Sequence, residues 1–167
     1  MHDTPDIRPT AKIFLSWAVE DERLKTAFVG LLEPNLANLA HLRVEWWESS
    51  QLRAGEEWRR EILARLGEAD AVVLLTSPEF FASPFIREVE LPACIGAAAP
   101  KMGLPASLIP VPLDGSRRLH GVEEHQIFRL GGRAFSELRG PRRDQFVREF
   151  ANQLQDRITR RSPWRAM

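Results

Sequence analysis

The sequence predicts an α/β fold, a three-layer αβα sandwich around a five-stranded parallel sheet of order 2-1-3-4-5, the flavodoxin-like arrangement. Three observations lead there. Short apolar runs alternate along the chain with stretches of helical periodicity, the pattern of a parallel sheet covered on both faces. Ala71-Val72-Val73-Leu74-Leu75 is apolar at every position, as a central parallel strand must be. Leu42 to Trp47 alternates instead, with Leu42, Val44 and Trp46 on one side and Arg43, Glu45 and Trp47 on the other, which marks a sheet edge.

The elements follow in order. Strand one is Ile13-Phe14-Leu15-Ser16-Trp17. The next helix opens at Asp21, a candidate cap, carries Leu24, Phe28, Leu31 and Leu32 at helical spacing, and ends at Pro34. Residues 35–41 read equally as a further helical turn or a loop. After strand two, Glu48 to Gly55 is a polar loop, and Glu56 to Leu66 is a helix with Trp58, Ile62 and Leu66 on one stripe and Gly67 as its C-cap. Strand three, 71–75, leads to a helix beginning near Pro84 or Phe85. Pro92 cannot donate to the Glu88 carbonyl, which predicts a kink or a late helix start beside Glu88 and Glu90. Pro100 to Pro105 reads as a connection, and Leu108 to Leu113 as strand four, with Pro110 and Pro112 each removing a ladder donor. Ile127 to Leu130 is a weak fifth strand. The last helix starts at Pro141 and carries Phe146, Phe150, Leu154 and Ile158 at i, i+4 spacing. Residues 12–160 thus form one domain, preceded by a flexible segment, 1–11, and followed by a tail, 161–167.

Composition narrows the function. Lys+Arg and Asp+Glu are 23 each, so the chain carries no basic footprint for nucleic acid. Arg139, Arg142, Arg143, Arg148, Arg157, Arg160, Arg161 and Arg165 make the C-terminal end locally basic, but interleaved acids make that a solvated helix face. Cys94 is the only cysteine, which rules out an intramolecular disulfide and fits a reducing cytoplasm. The polar N-terminus has no apolar signal-peptide core, and no apolar run approaches the roughly 20 residues that span a bilayer, so a cytoplasmic protein without membrane contact is expected.

In the predicted strand order the switch point falls between strands one and three. It gathers Ser16-Trp17, Thr76-Ser77-Pro78 and the following helix around one crevice, with the Glu48–Gly55 loop nearby. The crevice lacks several familiar chemistries. There is no G-x-G-x-x-G turn after strand one and no phosphate-binding G-x-x-x-x-G-K-[ST] loop. A phospho-acceptor receiver would need acids where the chain has Ser16-Trp17 and Thr76-Ser77. His2, His41, His120 and His125 have no metal-ligand spacing, so no metal site is expected. Ser16, Ser77 and Ser83 have no nearby histidine to activate them, which leaves a hydrolase triad unsupported.

Three segments, in order and at matching spacing, resemble the TIR (Toll/interleukin-1 receptor) domain family in its bacterial branch. Ile13-Phe14-Leu15-Ser16-Trp17 is similar to the family's first box. Trp46-Trp47-Glu48 and Leu52-Arg53-Ala54-Gly55-Glu56-Glu57-Trp58 resemble its second strand and BB loop. Ala69-Asp70 through Glu79-Phe80 resembles its third strand and the loop after it. The resemblance runs from about Ile13 to Ile158.

It implies one of two roles: NAD-cleaving enzyme, or adaptor assembling through TIR–TIR contacts. In the enzymes one glutamate on the helix after strand three is essential, usually in an aromatic-small-x-x-Glu pattern. From Phe85 that pattern lands on Val89, between Glu88 and Glu90. Bacterial members often carry one extra residue and end in Glu-Leu, as Glu90-Leu91 does, so the resemblance assigns the catalytic role to Glu90, with Glu88 second. NAD+ would be the substrate, with no separate cofactor. Trp17, Trp47 and Phe85 are candidates to stack on nicotinamide or adenine, Arg53 to meet the pyrophosphate, and Ser83 and Glu48 to bond ribose hydroxyls, with Ser16 and Ser77 lining the crevice. Core packing is the competing reading for the rings, and plain solvation for Arg53. The partners implied are a second copy of the domain and a sensor or second-messenger-binding protein, in bacterial antiviral defence.

Overall fold

The computed structural model describes residues 4–48, 56–96 and 98–161. Four parallel strands form one sheet of order β2-β1-β3-β4. They are β1 (Thr10–Ser16), β2 (Arg43–Glu48), β3 (Ala71–Thr76) and β4 (Met102–Ser107). The helices are α1 (Glu22–Ala37), α2 (Glu56–Glu68), α3 (Pro78–Ala82), α4 (Leu91–Cys94) and α5 (Pro141–Arg161). A wide turn with π-type bonding, Ile86–Glu90, runs directly into α4.

Alternate residues of the central strands face opposite layers. Ala11, Ile13 and Leu15 of β1 and Val73 and Leu75 of β3 pack with α1 and α5. Phe14, Val72 and Leu74 pack on the other face with Ile62 and Leu66 of α2 and Phe80 and Phe81 of α3. The expected stripe of α5 is buried throughout: Phe146, Phe150, Leu154 and Ile158. Phe28 of α1 meets Phe135, Phe146 and Phe150 with ring centroids 5.4, 6.1 and 5.9 Å apart. β2 is the edge strand its alternation predicts, and β3 is buried along its whole length.

Several sequence expectations need correction. Strand four lies at Met102–Ser107, not 108–113, overlapping the stretch 100–105 expected to be a connection. Pro105 is tolerated because its own carbonyl accepts from Phe128 N, while Ser107 N donates to Phe128 O. Both residues therefore turn their backbone groups away from β3, so the missing proline N–H costs the β3 ladder nothing. Among the described residues no fifth strand forms over 127–130; a single parallel bridge, Ala106 to Phe128, stands in its place. Pro34 does not end α1, which runs on to Ala37. The proline is itself exposed in the last turn, and buried Leu36 holds the chain on the core beyond it. Gly67 is not a cap but lies within α2, which ends at Glu68. β1 starts at Thr10, inside the segment expected to be flexible, and Arg8 before it donates to the Leu39 carbonyl at 2.7 Å.

Helix formation after β3 starts earlier than expected. Ser77 caps α3, its Oγ accepting the Phe80 N–H at 3.0 Å. Ser83 caps the next helical run, accepting the Ile86 N–H at 3.3 Å. The distortion expected from Pro92 is the wide turn itself: Leu91 N–H reaches back to the Ile86 carbonyl. No helix among the described residues is long and apolar enough to cross a membrane.

Candidate functional site

The site is built at the carboxyl ends of β1 and β3, where the strand order reverses. The wide turn decides which glutamate faces it. Ile86, Val89 and Glu90 are buried and share one stripe, which α4 continues with Cys94. Glu90 is 0% exposed. Glu88 points the other way, its side chain 59% exposed and 3.5 Å from Arg87. Ser16, the last residue of β1, donates from Oγ to Glu90 Oε2 at 2.5 Å. A buried carboxylate needs such a partner, because an unpaired one loses its hydration without return.

A second serine–carboxylate pair lies beside it. Ser77, which follows β3, donates from Oγ to Asp21 Oδ2. Asp21 stands just before α1, but its side chain does not cap that helix. Burial pushes the Asp21 carboxyl above its usual range, against the Ser77 bond, and the nearby Glu79 and Glu20 add to the rise. Cys94, four residues after Glu90, has its thiol pushed up to about 12 by burial and by the Glu90 charge.

The remaining candidates occupy distinct places. Trp17 is 5% exposed, with Lys25 Nζ 4.4 Å from its ring centroid. Glu48, the last residue of β2, accepts from Lys25 Nζ at 3.0 Å. Trp47 is half-buried against Phe14 at 5.3 Å, with Arg65 over its ring at 5.4 Å. Phe85 stacks on Trp58 at 4.8 Å. Ser77 and Ser83 are engaged as helix caps. Arg53 and the rest of the loop through Gly55 lie outside the described residues. Ser16 and Glu90 are thus brought together on the α2–α3 side of the sheet, the side on which Trp47 and Phe85 also pack, while Trp17, Lys25 and Glu48 form a separate group, with Trp17 in the α1–α5 layer; Glu88 is turned to solvent.

Sequence reading missed Lys25 and the pairing of Asp21. A signal existed: Asp21, Lys25, Phe28 and Leu32 follow 4-3-4 spacing, so one charged residue sits on the buried stripe of α1 and a second continues that spacing just before it. Cavities of about 90, 40 and 470 Å³ are lined respectively by Trp46, Trp47 and Arg65, by Thr76, Ser107 and Arg129, and by His125, Arg129 and Gln153. Glu90 lines none of these three; its carboxylate is enclosed.

A parallel αβα sandwich with its polar cluster at the β1–β3 switch defines the class. The TIR-domain family model matches residues 13–149 of the 167, and the chain belongs to that family. Comparisons with curated proteins and with solved structures gave no match.

Proposed function

We propose that the chain cleaves the nicotinamide–ribose bond of NAD+, releasing nicotinamide and either ADP-ribose or a cyclic ADP-ribose, with Glu90 as the catalytic carboxylate. One observation carries this reading: Glu90 is held inward by Ser16 at the carboxyl edge of the central strands, while Glu88 faces solvent. The wide turn supports the assignment further. One residue too many separates Phe85 from Glu90 for the family's usual pattern, and an i→i+5 turn takes up one extra residue while returning the glutamate to the inner face.

The chemistry needs little more than this. Breaking the bond leaves an oxocarbenium-like ribose and neutral nicotinamide. Glycoside hydrolysis adds a second carboxyl to protonate an oxygen leaving group. Nicotinamide leaves without that proton, so one fixed carboxylate can stabilise the developing positive charge or hold the ribose hydroxyls. Water or the adenine end of the same molecule then captures the sugar. The enclosure of Glu90 favours activity that requires opening on self-assembly, with TIR–TIR contacts joining copies head to tail. The biological role would be effector or signal generator in bacterial immunity, acting in the cytoplasm and triggered by a sensor or second-messenger-binding partner.

The test is nicotinamide release from NAD+ by concentrated protein, repeated under crowding. Glu90→Gln should abolish it and Glu88→Ala should leave it nearly unchanged; equal rates for wild type and Glu90→Gln would remove Glu90 from catalysis. The same burial favours a second reading, a non-catalytic interaction module in which Ser16–Glu90 only pins the helix to the sheet. That reading predicts no turnover in any assembly state and loss of self-association on Gly55→Pro.

A further inference from the structure

Lys25 is a charge at a position that an apolar side chain would fill. It shares the buried stripe of α1 with Phe28, Leu32 and Leu36 and is 8% exposed. Removing an ammonium from water is costly, and a well-packed hydrophobic residue would serve the fold as well or better. The ammonium is nevertheless fixed in place. Its Nζ lies on the face of the Trp17 ring, 4.4 Å from the centroid, and 3.0 Å from Glu48 Oε1.

The two members of this ion pair differ. The Lys25 side chain is 10% exposed, whereas that of Glu48 is 43% exposed and stands at the end of the edge strand. The cation is locked between α1 and an aromatic ring, and the anion can rotate into water. Trp17 directly follows β1 and packs in the α1–α5 layer, so this charge stands where the carboxyl ends of β1 and β2 meet, on the face of the sheet opposite the neighbours of Glu90. Few water molecules surround it, and its field is correspondingly stronger than that of a surface lysine.

We propose that Lys25 is an anion-binding residue at the carboxyl ends of β1 and β2 and that a phosphate-bearing ligand binds there by replacing the Glu48 carboxylate on Lys25 Nζ. A phosphate group offers more acceptor oxygens than a carboxylate, and a lysine ammonium is a point charge suited to it. Glu48, once released, is an exposed carboxylate able to accept from a ligand hydroxyl. Taking that ligand to be the pyrophosphate of NAD+ rests on the function proposed above; the anion site itself rests on the Lys25 geometry.

The experiment is calorimetric titration of inorganic pyrophosphate into wild type, Lys25→Met and Glu48→Gln. Wild type binds, and binding weakens with added salt. Lys25→Met, whose side chain suits the apolar stripe, binds at least about tenfold more weakly. Glu48→Gln binds severalfold more tightly, because the competing carboxylate is gone. Absence of wild-type binding, equal affinity in Lys25→Met, or weaker binding in Glu48→Gln overturns the proposal. Thermal melting checks that Lys25→Met folds; if it does not, the Glu48→Gln arm and the shift of the Lys25 ε-methylene resonance in titrated wild type decide. Nicotinamide release is followed in parallel. Lys25-dependent pyrophosphate binding with no release at any concentration leaves the anion site standing and removes the NAD reading. Release with the same KM in wild type and Lys25→Met leaves the NAD reading and removes Lys25 from the site.

Discussion

The Ser77 hydroxyl joins Asp21 to α3, donating to the Asp21 carboxyl while accepting the Phe80 N–H. Burial holds that carboxyl above the usual 3.8. Between 3.8 and the raised value the folded state binds more protons than the unfolded state. Stability contributed by this group is therefore full below pH 3.8 and is lost as pH rises through the folded-state value. Asp21→Asn keeps an acceptor for Ser77 and removes the charge. It should raise the urea midpoint at neutral pH, with the gain over wild type closing towards pH 3.8. A gain of the same size at both pH values would show that desolvation of Asp21 is not its source.

The Ser16–Glu90 bond makes a different prediction because the carboxylate, not the hydroxyl, is the costly member. Ser16→Ala strips a buried acceptor of its 2.5 Å donor. The expected loss is about 1.5–3 kcal/mol, the range for hydrogen bonds to charged groups. In a Glu90→Gln background the same change should cost less, about 0.5–1.5 kcal/mol, because the lost bond is then neutral. A double-mutant cycle by denaturant unfolding measures the difference. Equal losses in both backgrounds would mean that Ser16 acts by packing alone.

Much of this architecture was legible in the sequence because burial leaves a pattern. Ala71–Leu75 could only be a central strand, and Phe146, Phe150, Leu154 and Ile158 could only line one helix face. The same logic misplaced β4. Met102-Gly103-Leu104-Pro105-Ala106-Ser107 holds a glycine and a proline, and local propensity argues against it. What makes it a strand is its neighbours: β3 on one side, and on the other Phe128, whose backbone bonds both Pro105 and Ser107. At the site, the spacing 16–90 cannot be read along the chain at all. Pro92 announced a distortion, but only the three-dimensional turn shows that it rotates Glu90 inward and Glu88 outward.

Cys94 tests how tightly the helix carrying Glu90 is closed. It is 1% exposed, and its thiol is pushed up to about 12 by burial and then by the Glu90 charge. The thiolate is the reactive form, so the native thiol stays protonated and inert at mildly alkaline pH. A disulfide reagent should titrate one thiol per chain in denaturant and none in the native protein over the same interval. Fast native reaction would reveal that the helix opens readily; Glu90→Gln should not by itself make the thiol reactive, since burial is the larger cause.

Two glycines should respond to alanine with opposite signs. Gly103 passes beneath the end of α4, where an added Cβ would lie 2.9 Å from the Cys94 carbonyl oxygen and 3.3 Å from Ile95 Cδ1. The oxygen belongs to backbone and cannot swing aside, so β4 or α4 must shift. The segment is further constrained by the Lys101 N–H, which donates to the Ala93 carbonyl at 2.9 Å. Gly103→Ala should cost about 1–3 kcal/mol, the range for overpacking. Gly30, exposed on α1, has nothing within 4 Å of an added Cβ. There alanine only reduces the freedom of the unfolded chain and improves helix propensity, and Gly30→Ala should add about 0.4–1 kcal/mol. Because α4 directly continues the turn that ends in Glu90, Gly103→Ala should also disturb the Ser16–Glu90 contact. Its loss should therefore shrink when measured in a Ser16→Ala background, whereas the Gly30→Ala gain should be the same in both.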